Sequence, residues 1–209
     1  MSTRLILARH GNTFNPEDTP LWVGARSDFP LVAKGLAQAA LLADGLELAH
    51  IRPDKIITGP LQRTRQMAAT VTERLKLPPA IIDTRLTEID YGTWEAQSTE
   101  DIIAAGGCRE LEEWNKISRF PTQPGWSPPE AQIISDTAAI LAELTEDTVL
   151  IISSNGILRF FARAALNAAD YPDRKVATGQ ICVMERGADE GWRITHWNQP
   201  PAVLSLRRF

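Results

Sequence analysis

The sequence predicts an α/β fold, a three-layer sandwich in which helices flank a mostly parallel central sheet. Two observations carry that prediction. Apolar runs of strand length alternate with segments of helical periodicity. Three of those runs also end alike, at a turn that carries glycine: 5–8 at Arg9-His10-Gly11, 55–58 at Gly59-Pro60, and 149–153 at Ser154-Asn155-Gly156. In open α/β sheets ligands bind outside the carboxyl ends of strands, so the three junctions are expected at one sheet edge.

The first run, Leu5-Ile6-Leu7-Ala8, is apolar without interruption, which suits a strand covered on both faces. It stops at a cation, an imidazole and a glycine. An arginine beside a histidine suggests an anion held next to a nucleophile or base. Gly11 permits close approach to the backbone. The plain alternative is a polar strand end leaving the core. Residues 15–30 read as a loop punctuated by Pro16, Pro20, Gly24 and Pro30, with Trp22 embedded in it. Arg26 returns a cation toward the same region, either to bind the remote end of a substrate or to pair with Asp28.

Residues 33–49 read as a helix on the spacing of Leu36, Ala39, Ala40, Ala43 and Leu46. Gly45 inside it costs about 1 kcal/mol against alanine. His50 follows as a surface histidine. After the strand at 55–58 a helix is expected over 61–75, with Arg63 in its first turn. A cation is disfavoured at a helix N-terminus, so Arg63 there asks for an anionic partner. Arg65 points elsewhere, into solvent. Ile81-Ile82-Asp83 reads as a short strand. Residues 86–95 then place Glu88, Asp90 and Glu95 among apolar and aromatic neighbours, where a carboxyl group can serve as a general acid. The plain reading is an irregular loop whose acids pair with arginines.

Residues 98–118 read as helix broken at Gly106-Gly107, and 122–129 are proline-rich with Trp126. Together, over 98–130, they form a cap-like excursion from one domain that spans 1–209. Ser127 is placed to cap a helix over 128–144. After the strand at 149–153 a helix is expected over 157–168. Two late strands, 180–185 and 193–197, are joined by a turn at 187–191, and the tail is basic at Arg207-Arg208.

Composition bounds the function. The chain has 209 residues, 44% hydrophobic and 23% charged, as in soluble globular proteins. A net charge of −4 gives no basic footprint for nucleic acid, so an anionic ligand needs a local arginine cluster. No apolar run reaches the roughly 18 residues that would span a bilayer. The first residues enter a strand at once, without a signal-peptide pattern. Cys108 and Cys182 lie far apart, consistent with two free thiols in a reducing cytoplasm. Three histidines are too scattered to suggest a metal.

Taken together, the motifs resemble those of the histidine phosphatase superfamily, the group of cofactor-dependent phosphoglycerate mutases and many small phosphatases. Arg9-His10-Gly11-Asn12-Thr13 matches its N-terminal signature. Phe29-Pro30-Leu31 with Gly35 and Gln38-Ala39 matches the segment that follows, and Gly59-Pro60-Leu61-Gln62-Arg63-Thr64-Arg65-Gln66 the second arginine motif. Leu86-Thr87-Glu88 through Gly92-Thr93-Trp94-Glu95 matches the acid motif, and Ile152-Ser153 through Gly156-Ile157-Leu158-Arg159 the last.

The resemblance implies a phosphoglycerate mutase-like fold and a two-step phosphoryl transfer on a small phosphate monoester, with no metal and no cofactor. In it His10 becomes phosphohistidine, Glu88 acts as acid and then base, and Arg9 and Arg63 hold the phosphoryl oxygens. Gly11, Asn12, Thr13, Arg26, Ser154 and Asn155 are the expected substrate-binding residues. Phosphoryl transfer is mostly positioning and charge stabilisation, which planar guanidinium forks supply. The chain departs from the family pattern at Ser154, where a second histidine usually donates to the phosphoryl group. Losing one such donor typically costs about 100- to 1,000-fold in rate. Two other readings follow: a weakly active or inactive member that binds phosphorylated ligands or a partner, and a mutase, which needs a retained phosphoenzyme and a bisphosphate. Asp90, Glu95 and Arg159 read as structural or as supports behind the catalytic groups, and Trp94 and Trp126 either line the pocket or, as is commoner for tryptophan, simply pack. His196 is a poor replacement for the missing histidine. The oligomeric state is left open.

Overall fold

A computed structural model describes residues 2–122, 125–187 and 190–206. The basic pair Arg207-Arg208 lies outside the described residues, as do parts of the turn at 187–191 and of the excursion at 98–130. Six strands form one sheet: β1 (Thr3–Arg9), β2 (Lys55–Thr58), β3 (Ile81–Ile82), β4 (Thr148–Ser153), β5 (Ile181–Arg186) and β6 (Trp192–Gln199). Their spatial order is β3-β2-β4-β1-β5-β6. The first four run parallel, and β5 and β6 add antiparallel at one side.

The apolar runs are continuous because both sheet faces are covered. Side chains alternate faces along a strand. Leu5, Leu7, Val149 and Ile151 join one core. Ile6, Ala8, Leu150 and Ile152 join the other. The second core is covered by α1 (Ala33–Leu48) and α2 (Gln62–Leu75). The first is covered by α5 (Glu130–Glu143) and α6 (Asn155–Arg163). Between them in sequence, α3 (Thr99–Ala104) and α4 (Cys108–Ile117) are separated by the Gly106-Gly107 break. This is the expected three-layer α/β sandwich, with a mixed sheet.

Two helix boundaries differ from the sequence reading. α5 begins at Glu130, and Ser127 gives it no side-chain cap. The Ser127 backbone instead pairs with Asp90, through N–H···O distances of 2.8 and 3.0 Å. α6 begins at Asn155, directly on leaving β4, and ends at Arg163. It stops early because the next segment is bound to β6. Leu166 N–H donates to the Trp192 carbonyl at 2.8 Å, and the Asn167 amide makes two 2.9 Å bonds to the Ile194 backbone. Gly45 is explained by packing: a Cβ there would lie 2.8 Å from the Pro201 carbonyl oxygen. Among the described residues no helix is long and apolar enough to cross a membrane, and both cysteines are free thiols.

Candidate active site

Strands β2, β4 and β1 are neighbours and parallel, so their carboxyl ends share one edge. A cavity of about 380 Å³ opens there. Arg9 and His10 reach it from the end of β1, Glu88 and Tyr91 from the loop after β3, and Asn155 from the start of α6.

His10 is buried. Its backbone N–H donates to the Ser153 carbonyl at 3.0 Å, which ties β1 to β4 at this point. Its Nδ1 lies 2.7 Å from the Gly11 carbonyl oxygen. A carbonyl only accepts, so Nδ1 carries the proton and Nε2 keeps its lone pair. Burial, followed by the charges of Arg9 and Arg63, holds the imidazole pKa well below its ordinary value. The ring is therefore neutral near pH 7, the form that can act as a nucleophile. Gly11 itself packs against Gly35; a Cβ would collide with the Gly35 backbone.

The two arginines differ in posture. Arg9 donates from Nη1 to the Val176 carbonyl at 2.6 Å. Arg63 is fully buried behind the cavity wall. Its Nη1 donates to Ser27 O at 2.7 Å and its Nη2 to Gly24 O at 3.0 Å, holding the 23–27 loop. Both Nε–H groups are buried and uncommitted. Burial lowers both guanidinium pKa values, opposed chiefly by the charge of Glu88. The N-terminus of α2 is closed by this chain's own carboxylate, since Asp28 accepts from Gln62 N–H at 2.6 Å.

Glu88 is buried and fixed by three donors. Ile89 N–H reaches Oε1 at 2.9 Å, Gly156 N–H reaches Oε2 at 3.0 Å, and the Tyr91 hydroxyl bonds to the same carboxylate. Burial and then the Glu88 charge push the Tyr91 pKa well up, so the phenol stays protonated and donates. Gly156 is required by this packing, because its Cβ would strike Glu88 Oε1.

The remaining expected residues divide. Asn12, Thr13 and Asn155 line the cavity. Asn12 accepts from Thr178 Oγ1 at 2.6 Å, and Asn155 accepts from Val176 N–H at 2.9 Å. Ser154 is buried, its Oγ has no hydrogen-bond partner among the described residues, and it is not part of the cavity wall. Arg26 also lies off the wall; it pairs with Asp90 at 3.0 Å and donates to Gly92 O, in place of either partner expected for it. Glu95 accepts from Gly24 N–H at 2.9 Å. Buried Arg159 donates to Trp114 O and to Ser118 Oγ. Neither Glu95 nor Arg159 is part of the cavity wall. His196 stays on β6, away from the wall.

Sequence reasoning missed several lining residues. Thr99, Trp114 and Asn115 come from the excursion, and Lys175 and Thr178 from the segment before β5. Trp22 lines the cavity and also packs edge-on against Tyr91 and Trp94, with centroids at 5.0 and 5.1 Å. Trp94 and Trp126 are packing residues within the same aromatic cluster.

A buried neutral histidine, a fixed carboxylate and two guanidiniums at the edge of a doubly covered sheet define a protein built to handle an anionic group. The particular family follows from sequence. The profile of the histidine phosphatase superfamily (branch 1) matches residues 5–200, and the chain belongs to that family. A probable phosphoglycerate mutase of Enterobacter sp. is 27% identical over 200 residues, covering 93% of this chain and 89% of that protein. An uncharacterized protein of Mycobacterium tuberculosis is 30% identical over 131 residues, 63% of this chain; the match spans 60% of that relative's length. A phosphoserine phosphatase of Hydrogenobacter thermophilus is 35% identical over 104 residues, 48% of this chain and 45% of that protein. Among solved structures, a mycobacterial glucosyl-3-phosphoglycerate phosphatase shares the fold, with TM-score 0.79 at 22% identity, covering 95% of this chain and 99% of that one.

Proposed function

We propose that this chain is a cytoplasmic phosphatase that hydrolyses a small phosphate monoester through a phosphohistidine at His10, without a metal step. The observation that carries the reading is the environment of His10: a neutral imidazole with a free Nε2 beside two guanidiniums whose Nε–H donors are uncommitted. In the first step the Nε2 lone pair forms the N–P bond and the ester P–O bond breaks, while Glu88, having taken a proton as the anionic substrate binds, passes it to the leaving alcohol. In the second, water attacks phosphorus and passes a proton to Glu88, the N–P bond breaks, and phosphate leaves. Arg9 and Arg63 offset the charge on the phosphoryl oxygens throughout, the part a metal plays elsewhere. A covalent histidine divides one displacement into two easier ones. The chain works as one domain over 1–209, with 98–130 as a cap. Relatives named as phosphatases support the class of activity.

Ser154 favours one second reading. Its buried, unpartnered hydroxyl stands where the family usually places a histidine. That change suits a member that binds phosphorylated ligands and turns them over slowly or not at all. Turnover of p-nitrophenyl phosphate, measured without metal beside His10→Ala, separates the two. The phosphatase reading expects turnover and an acid-labile phosphoenzyme, both abolished in His10→Ala. Undiminished turnover in His10→Ala would remove the nucleophile assignment. Phosphate affinity without turnover in the intact protein would establish the binding reading, and activation by a bisphosphate would mark a mutase.

A further inference from the structure

We propose that Lys175 selects substrates carrying a second anionic group, so that this phosphatase acts on phosphomonoesters that also bear a carboxylate or a comparable anion. The inference rests on the phosphatase reading and adds to it the identity of the distal group.

Three features of the cavity support it. First, among the described residues the charged members of the wall are Arg9 and Lys175 against Glu88, and Glu88 is already fixed by three donors. Second, the Lys175 ammonium has no carboxylate partner among the described residues. The nearest acid in sequence, Asp173, uses its Oδ1 to accept from the Lys175 backbone N–H at 2.9 Å. Partial desolvation at the base of this exposed side chain, then the charges of Arg159 and Arg9, lower the ammonium pKa, and an anion placed there offsets that repulsion. Third, the segment is held in place. Asn155 binds Val176 N–H and Arg9 binds Val176 O, at 2.9 and 2.6 Å, so the residue after Lys175 is tied to both sides of the site.

Placement decides which anion Lys175 takes. Arg9 and Arg63 lie deep beside His10, whereas Lys175 is exposed at the outer wall. A cavity of about 380 Å³ has the size that takes a whole small molecule, not a phosphoryl group alone. Trp22, half-buried at the cavity, gives an apolar surface for the body of such a molecule.

The test compares two matched pairs of esters: 3-phosphoglycerate with glycerol 3-phosphate, and 4-carboxyphenyl phosphate with phenyl phosphate. Each pair differs by one carboxylate. In the native protein kcat/KM is expected to favour the carboxylated member of at least one pair by about 10- to 100-fold, the size of one charge-assisted hydrogen bond. Lys175→Met should bring that ratio to near one by lowering kcat/KM for the carboxylated member far more than for its carboxylate-free partner, and Lys175→Arg should retain part of it. No preference in the native protein overturns the proposal. So does a preference that survives in Lys175→Met, or an equal loss on both members, which would assign Lys175 to the phosphoryl group. If the native protein hydrolyses none of the esters, the phosphatase reading fails instead. The Kd ratio for each pair, measured by calorimetry on His10→Ala with and without Lys175→Met, then decides the role of Lys175 by the same criteria.

Discussion

At the scale of single residues, the protonation state of His10 links the site to the stability of the fold. Burial and two guanidiniums disfavour the imidazolium in the folded chain, and the Gly11 carbonyl restores only part of that loss. In the unfolded chain the imidazole titrates near its ordinary value of about 6.5. Below that pH the unfolded chain takes up a proton that the folded chain rejects, so stability falls as pH drops. The fall ends once the pH passes the depressed folded-state pKa. Above about pH 7.5 neither state is protonated and the contribution is constant. His10→Asn keeps a donor toward Gly11 and cannot titrate. Its Tm should fall less steeply than that of the native protein from pH 7 to 5. Parallel Tm curves would contradict the buried, charge-flanked placement of His10. The same residue shows what a sequence conveys. Arg9, His10 and Glu88 sit in short patterned motifs and were legible as chemistry. Lys175 and Thr178 sit in a segment with no periodicity, held at the cavity by long-range bonds of Val176 to Asn155 and Arg9 and of Thr178 to Asn12 and Gln38.

At the scale of elements, the junction of β4 and α6 is set by Glu88. The helix begins at once after the strand, and a backbone N–H of its first turn meets the carboxylate. The sequence conveyed the strand and the turn, because continuous apolar runs and glycine are local signals. It did not convey where α6 starts or stops, because those ends are decided by distant partners, Glu88 at one and Trp192 and Ile194 at the other. Ser127 failed as a cap for the same reason: Asp90 had claimed its backbone. Two glycines in helices therefore carry different predictions. Gly156→Ala drives a Cβ into Glu88 and toward the Tyr91 hydroxyl, 3.0 Å away, so the acid is displaced. Its kcat on p-nitrophenyl phosphate should fall by about 100-fold, as misplacement of a reacting group does. Gly45→Ala meets the backbone of Pro201 and should cost about 1–3 kcal/mol of stability with kcat unchanged. Urea unfolding and steady-state kinetics on both variants check the contrast, which fails if Gly156→Ala is merely the less stable of the two.

At the scale of the whole molecule, the cap proposed over 98–130 is joined to the body by rings and by arginines of α6. Both ends of the excursion are pinned by isolated bridges, Leu21 to Ser98 and Asp90 to Ser127. Between them, the Trp126 ring meets those of Tyr91, Trp114, Phe120 and Trp94 at centroid distances of 4.8 to 5.3 Å. Arg159 lies over the Trp114 ring at 4.4 Å, and Arg163 binds Ser118 O at 2.8 Å and Glu130 at 2.6 Å. Trp114 is thus at once cavity wall and anchor, whereas Trp126 is anchor only. Trp126→Ala removes a buried ring that touches no substrate, at a cost of about 3–5 kcal/mol by urea unfolding. Conditions that keep the variant folded should still show a looser wall, with KM for p-nitrophenyl phosphate raised several-fold and kcat near the native value. That split is the mark of lost binding shared by ground and transition states. A variant that loses kcat at unchanged KM would place the ring cluster in support of His10 and Glu88, and the excursion would then be scaffold rather than cap.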